Sequence, residues 1–367
     1  MQTEFIKIIE GGLKGDPNKV LSYTKLLIQN LRKGGDDRTA DRLERLISSQ
    51  SSSTVFQDQL ISAPVDQESR LTMANVIIPS ESSFQVVFSD GMMNMVENFI
   101  GLVKNKSLLT QAGIETSTSL LLYGPPGCGK TTMAHYIAKQ LNLPLVVTRF
   151  DSLISSLLGN TAKNIRRVFD FASSRPCILF LDEFDAIGKA RDDQYELGEL
   201  KRVINSLLQN MDEFLAAGNI LIAATNHHEL LDKAIWRRFT YVVDMGKPDE
   251  AIIGSLVKSI FRNIDNQIVK DQKKFDALVR SMQGLSFAEI RTVCNNAASK
   301  YIIQRKKELT YEDLLTELYL FENNNKYDDS SLVKYLESHG VSRAAISNHM
   351  GISYRQIVNL SEKSSQS

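Results

Sequence analysis

The sequence predicts an α/β fold: a parallel sheet with helices on both faces, followed by segments that are helical throughout. Three observations carry this. From Thr72 to Met245 short apolar runs alternate with runs of helical period, the pattern of strands joined by crossover helices. One apolar run, Ser119–Tyr123, leads through a glycine-rich loop directly into a helical pattern. Another, Cys177–Leu181, is apolar at every position and ends in two carboxylates, as a strand buried on both faces with a ligand at its carboxyl end would.

The elements follow in order. Over residues 1–49 apolar residues recur at helical spacing (Phe5, Ile8, Ile9; Val20, Tyr23, Leu26, Leu27, Leu31; Leu43, Leu46, Ile47), interrupted by glycine and aspartate clusters. The expectation is a short helix and a helical hairpin, a piece too small for chemistry and suited to an adaptor. Residues 50–71 are rich in Ser and Gln without periodicity and read as a linker. Within 72–246 the candidate strands are Ser119–Tyr123, Leu145–Phe150, Cys177–Asp182, Ile220–Thr225 and Tyr241–Asp244. Residues 247–322 are purely helical in pattern. After the polar run Asn323–Lys326, residues 330–367 form a last small unit.

Composition limits the functions available. Hydrophobic residues are 43% and charged residues 23% of the 367, ordinary for a globular protein with a real core. Lys+Arg and Asp+Glu are both 43, so overall charge directs the chain to neither nucleic acid nor a membrane surface. Cys128, Cys177 and Cys294 stand far apart with no C-x-x-C pairing, which argues against a disulfide framework and for a reducing compartment. No apolar run is long enough to span a bilayer, and the N-terminus lacks a signal layout, so a cytoplasmic location is expected.

Gly124, Pro125, Pro126, Gly127, Cys128, Gly129, Lys130 and Thr131 match G-x-x-x-x-G-K-[ST] between a strand and a helix that begins near Thr132. Glycines let successive backbone N–H groups turn inward around phosphate oxygens, and the helix that follows presents its positive end to the same anion. Lys130 would reach the β- and γ-phosphates of ATP, and the Thr131 hydroxyl would ligate Mg²⁺. Downstream, Asp182 would hold Mg²⁺ through its water shell, while Glu183 would orient and polarise the attacking water. The next strand ends in Thr225-Asn226, where Asn226 is either a turn residue or a hydrogen-bond partner of the γ-phosphate or the water. Arg237 and Arg238 are either a solvated pair or arginine fingers offered to ATP in a neighbouring subunit.

These elements together resemble AAA ATPases over roughly Ser83 to Phe321. GPPGCGKT resembles the Walker A motif, ILFLDEFDAI the Walker B motif and IAATN sensor 1; LDKAIWRRF resembles the second region of homology of the katanin and spastin branch. Gly284–Ile290 resembles the lid motif, with Phe287 in place of its second glycine, a change that puts close approach of the lid to the nucleotide in question. The resemblance implies a P-loop NTPase sheet of five parallel strands, a helical lid, a hexameric ring, arginine fingers at Arg237 and Arg238, and a protein substrate gripped in a central pore. The matching pore loop ends in Leu157, Leu158 and Gly159, with leucine where translocating relatives carry an aromatic. The short helical N-terminus, single ATPase module and small C-terminal unit also resemble bacterial AAA ATPases encoded beside subtilisin-like serine proteases, which implies such a protease as partner. Protease chemistry in this chain is excluded, since His227-His228-Glu229-Leu230 is not H-E-x-x-H.

Val341–Leu360 has the spacing of a helix-turn-helix, with Gly351 at the turn and Tyr354, Arg355 and Asn359 as outward residues. DNA is the alternative partner through this unit. Its basic residues are few, namely Lys334, Arg343, Arg355 and Lys363, and phosphate contacts need more.

Overall fold

A computed structural model describes residues 73–79, 87–150, 158–186, 197–265 and 268–363, together with scattered positions (8–9, 20, 24, 27–28, 30–32, 36–37 and 39–44) near the N-terminus. The chain divides into two compact units, Met1–Thr72 and Met73–Ser367. In the first, the described positions are helical at 8–9, 20, 24, 27–28, 30–32, 37 and 39–44. Leu27, Ile28 and Ala40 are buried, and Arg32 pairs with both Asp41, at 3.4 Å, and Glu44. The linker 50–71 lies outside the described residues.

The second unit is built on a six-stranded sheet: β1 (Asn75–Ile77), β2 (Ser119–Tyr123), β3 (Leu145–Arg149), β4 (Ile178–Asp182), β5 (Ile220–Thr225) and β6 (Tyr241–Asp244). The spatial order is β1-β3-β4-β5-β2-β6. Strands β2 to β6 pair in parallel, as expected, and β1 adds an antiparallel edge along β3 that the sequence did not announce. Alternation of side chains divides the core. Leu120, Leu122, Ile178, Phe180 and Ile222 pack on one face with helices α1 (Asp90–Lys104) and α3 (Lys130–Leu141), beyond the short α2 (Lys106–Gln111). Leu121, Leu179, Leu181, Leu221 and Ala223 pack on the other with α4 (Leu158–Ser173) and α5 (Leu197–Ala216). Each fully buried leucine or isoleucine contributes about 1.5–3 kcal/mol.

After β5 come a 3₁₀ turn (His228–Leu230) and a one-turn helix α6 (Lys233–Trp236) capped by Asp232. Among the described residues seven helices follow β6: α7 (Glu250–Ile260), α8 (Gln272–Ser281), α9 (Phe287–Ile303), α10 (Tyr311–Glu322), α11 (Asp329–Ser338), α12 (Arg343–Met350) and α13 (Tyr354–Lys363). Their starts are set by side-chain caps, including capping boxes at Ser286/Glu289 and Thr310/Asp313. The last three carry the predicted helix-turn-helix spacing, with Gly351 in the left-handed conformation (φ 68°) at the turn. Leu332, Val333, Leu336, Ile346 and Ile357 of this part share one core with Ile253, Phe275, Ile290 and Leu314 of the preceding helices. The C-terminal unit and the lid are therefore packed as one body.

Candidate nucleotide site

The loop after β2 is shaped by close approaches that only glycine tolerates. Gly124 has φ 142°, and a Cβ there would lie 2.5 Å from the Met245 carbonyl oxygen. Gly127 (φ 75°) faces Ser286 and Ala288 at the start of α9, and Gly129 (φ 89°) faces the Phe88 ring. The loop is anchored at its start, where Gly124 N–H donates to Thr225 O at 3.3 Å. Lys130 is 8% exposed, and its Nζ donates to Gly124 O at 2.7 Å and Pro125 O at 2.8 Å. Burial pulls its ammonium below the ordinary lysine range, and Asp182 and Asp185 act in the opposite sense. A cation held by the loop's own carbonyls at the head of a helix is placed for an anionic ligand.

The neighbouring strand ends complete the polar side. The Thr131 hydroxyl donates to Asp182 Oδ2 at 3.1 Å, and Asp182 Oδ1 accepts from Glu183 N–H at 2.9 Å. Glu183 takes a left-handed φ of 53°, and the next residue returns to the sheet through Phe184 N–H to Ala224 O at 2.9 Å. That kink turns the Glu183 side chain out of the strand's alternation, so adjacent carboxylates serve the same cavity. Arg149, at the end of β3, donates from Nη2 to both Glu183 carboxylate oxygens at 3.1 Å. Asp185, 2% exposed, accepts from the Thr225 hydroxyl at 3.3 Å and from Asn226 N–H at 3.4 Å, fixing the end of β5.

A cavity of about 420 Å³ brings these residues together. It is lined by Pro126, Gly127, Gly129, Lys130, Thr131, Thr132, Asp182, Glu183 and Asn226 from the sheet side, and by Leu256, Phe287, Ala288 and Arg291 from the helices after it. Val87 and Phe88 close the apolar end. The Phe287 ring meets Phe88 edge-on at 5.3 Å, and beside it Ala288 N–H donates to Gly127 O at 3.1 Å. Cys128, within the loop, is buried, and burial pushes its thiol up.

Arg237 and Arg238 lie outside the cavity lining. Leu157 lies outside the described residues; Leu158 and Gly159 open α4, and their side chains are likewise not described. Arg149, Asp185, Arg291 and Phe88 were not found from sequence. Arg149 and Asp185 carried a usable signal, since both sit at or just past the carboxyl ends of parallel strands, where ligands collect. Arg291 and Phe88 come from elements whose approach to the loop no local pattern announces.

The donor set fits a nucleoside triphosphate with a hard divalent cation. The three glycines hold the loop at positive φ, a backbone of the kind whose N–H groups turn around phosphate, Lys130 supplies buried positive charge, and a hydroxyl and a carboxylate 3.1 Å apart are oxygen ligands of the type Mg²⁺ takes. Fold and site define a P-loop nucleoside triphosphatase. Residues 120–247 match the family described as "ATPase family associated with various cellular activities (AAA)". An uncharacterized AAA family ATPase of Sinorhizobium fredii is 41% identical over 237 residues, which cover 65% of this chain and 70% of that protein. Proteasome-activating nucleotidases of Methanoregula boonei and Thermococcus gammatolerans are 33% and 34% identical, each over 58% of this chain. The chain spans 50% and 54% of their lengths. The crystal structure of the FIGL-1 AAA domain shares the fold, with a TM-score of 0.57 at 20% identity, covering 76% of this chain and 96% of that domain. The chain belongs to the AAA family and is an ATPase.

Proposed function

We propose that this chain forms a homohexameric ring that couples ATP hydrolysis to remodelling or unfolding of a protein substrate in the cytoplasm. The observation that carries this reading is the likeness to proteins named proteasome-activating nucleotidases, at 33% and 34% identity. Among the described residues no helix is long and apolar enough to cross a membrane. The exposed position of Arg237, outside the cavity, supports a role at a neighbour's nucleotide.

Within one site, Lys130 binds the phosphates and Thr131 with Asp182 would hold Mg²⁺, which when bound neutralises phosphate charge. Glu183 orients the attacking water and accepts its proton as bonding to phosphorus develops. Asn226, whose backbone N–H donates to Asp185, would hydrogen-bond the γ-phosphate or that water. Leu157, Leu158 and Gly159 are the proposed grip on substrate, and a subtilisin-like serine protease is the proposed recipient of it.

The C-terminal helices supply no special charge for DNA. From Asp328 to Lys363 four basic residues (Lys334, Arg343, Arg355, Lys363) face four acidic ones (Asp328, Asp329, Glu337, Glu362), and Arg343 Nε is already bonded to Glu337 at 2.6 Å. The test is ATPase rate with an unfolded protein and, separately, with duplex DNA. Stimulation by unfolded protein alone supports the proposal. Stimulation by DNA alone replaces it with a DNA-associated assembly.

A further inference from the structure

Helices α4 and α5 lie side by side on the face of the sheet opposite α3, joined beneath by Ile165, Val168, Phe169, Leu207, Met211 and Phe214. The Phe169 and Phe214 rings meet edge-on at 5.4 Å, which helps fix the pair. Between the two helices runs a groove of about 440 Å³ that shares no lining residue with the nucleotide cavity. Lys163, Arg166 and Arg167 of α4 form one wall, and Ser206, Gln209 and Asn210 of α5 the other. Helical period puts each trio on one face, since residues three and four apart are neighbours. Ala162 and Ser206 are small and leave room between the walls. Among the described residues the lining holds three cations and no carboxylate.

The three cations are not equally engaged. Arg166 is shared by two carboxylates outside the lining, with Nε 3.6 Å from Asp170 Oδ1 and Nη1 3.5 Å from Glu213 Oε2. Glu213 Oε1 also accepts from Gln209 Nε2 at 3.0 Å, so one oxyanion already draws donors from both walls. Lys163 and Arg167 make no ion pair among the described residues. The Ser206 hydroxyl accepts from Asn210 Nδ2 at 3.3 Å and keeps its own proton to donate. The groove therefore offers about two uncompensated positive charges, which match the roughly −1.5 to −2 of a phosphate monoester at neutral pH better than the single charge of a carboxylate. We infer that this groove is a second oxyanion site, taking a phosphate dianion that is either free or carried on a phosphorylated side chain. Lys163, the fork of Arg167 and the Ser206 hydroxyl hold it. Glu213 competes with it for Arg166 and Gln209.

The test is isothermal titration into the full chain saturated with Mg²⁺ and a non-hydrolysable ATP analogue, so that the phosphate loop is already filled. Inorganic phosphate, a phosphoserine peptide and the same peptide unphosphorylated are titrated separately. Lys163→Gln and Arg167→Gln should each weaken phosphate binding about tenfold, with nucleotide affinity, assembly and thermal midpoint at parental values. Glu213→Gln should tighten it about threefold, because a competing anion is removed; a merely structural glutamate would not do so. Binding should also weaken as salt rises, since Lys163 is exposed. Free phosphate bound as well as the phosphopeptide supports a site for the bare anion, and the phosphopeptide alone supports a site for a phosphorylated protein. No phosphate-dependent binding of either probe up to about 10 mM overturns the inference. So does equal binding by the parent and the double glutamine variant, which places the anion elsewhere. Folded glutamine variants that no longer assemble also overturn it, since the groove is then a contact between copies. If a glutamine variant fails to fold, Arg167→Lys decides: it loses the guanidinium fork and should bind severalfold more weakly, and parental affinity would overturn the inference.

Discussion

Replacing Gly127 with alanine separates the contribution of the lid from that of the phosphate loop. Gly127 has φ 75°, so an alanine there carries left-handed strain of about 1–2 kcal/mol, a cost to the folded chain. The new Cβ would also lie 2.7 Å from Ser286 Oγ and 3.0 Å from Ala288 Cβ. Ser286 Oγ can move only by weakening its cap on Glu289 N–H, worth about 1 kcal/mol. Lifting α9 away breaks the Ala288–Gly127 bond, worth about 1 kcal/mol net. Together these about 2 kcal/mol act on the closed cavity and correspond to roughly 30-fold weaker nucleotide binding. Gly113 is the control, with φ 74° and nothing within 4 Å of its Cβ position. Gly113→Ala should show the strain in urea denaturation and leave nucleotide affinity unchanged. Titration with a fluorescent ATP analogue reads the difference. If Gly127→Ala binds within twofold of the parent, the lid does not help form the site.

Three further outcomes follow from the same geometry. Glu183→Gln should bind ATP with parental affinity while its hydrolysis falls by about 10²-fold or more, since the amide keeps the shape and loses the base; Lys130→Ala should instead lose affinity, and single-turnover and binding assays separate the two. His349 is half-buried beside Thr316, Asp313 and Lys306, and desolvation pulls its imidazole below the ordinary range against the opposing pull of Asp313. Its neutral form stabilises the fold above the unfolded value of about 6.5, and that contribution is lost as pH falls through the lower folded value; denaturant midpoints from pH 7.5 to 5 should drop, and drop less in His349→Gln. Cys177 and Cys294 are pushed up to about 12 by burial and Cys128 is also raised, so the native chain should resist thiol alkylation at about pH 8 and react fully only when unfolded.

What the sequence disclosed was local. Gly124–Thr131, Asp182, Glu183 and Asn226 each lie within a few residues of the strand that aims them, so a short motif and its flanks were enough. What it withheld depends on register and on distant packing. Arg149 meets Glu183 because β3 and β4 pair with Arg149 opposite Asp182. The edge strand β1 is three residues long, too short to leave a period. Phe287 stood where a glycine was expected, which bears on backbone approach to adenine or ribose; its partner, Phe88, lies about two hundred residues earlier in the chain and lines the same cavity. The Arg237–Arg238 pair looks uniform in sequence, whereas in the structure Arg237 is exposed and Arg238 is bonded to the Asp212 carboxylate and to Ala234 O. The shared core of the lid and the C-terminal helices is invisible for a similar reason. The apolar spacing of Leu332, Val333 and Leu336 fixes which face is buried but not against what.

The proposed function is ATP hydrolysis doing mechanical work on protein. The direct measurement is fluorescence of a stably folded fluorescent protein carrying an unstructured tail, mixed with this chain, ATP and Mg²⁺ alongside a trap that captures unfolded molecules. Fluorescence should fall progressively with ATP and should not fall with Glu183→Gln. Undiminished fluorescence from an assembled chain that hydrolyses ATP at its full rate, across tails of varied composition at either end, would contradict it.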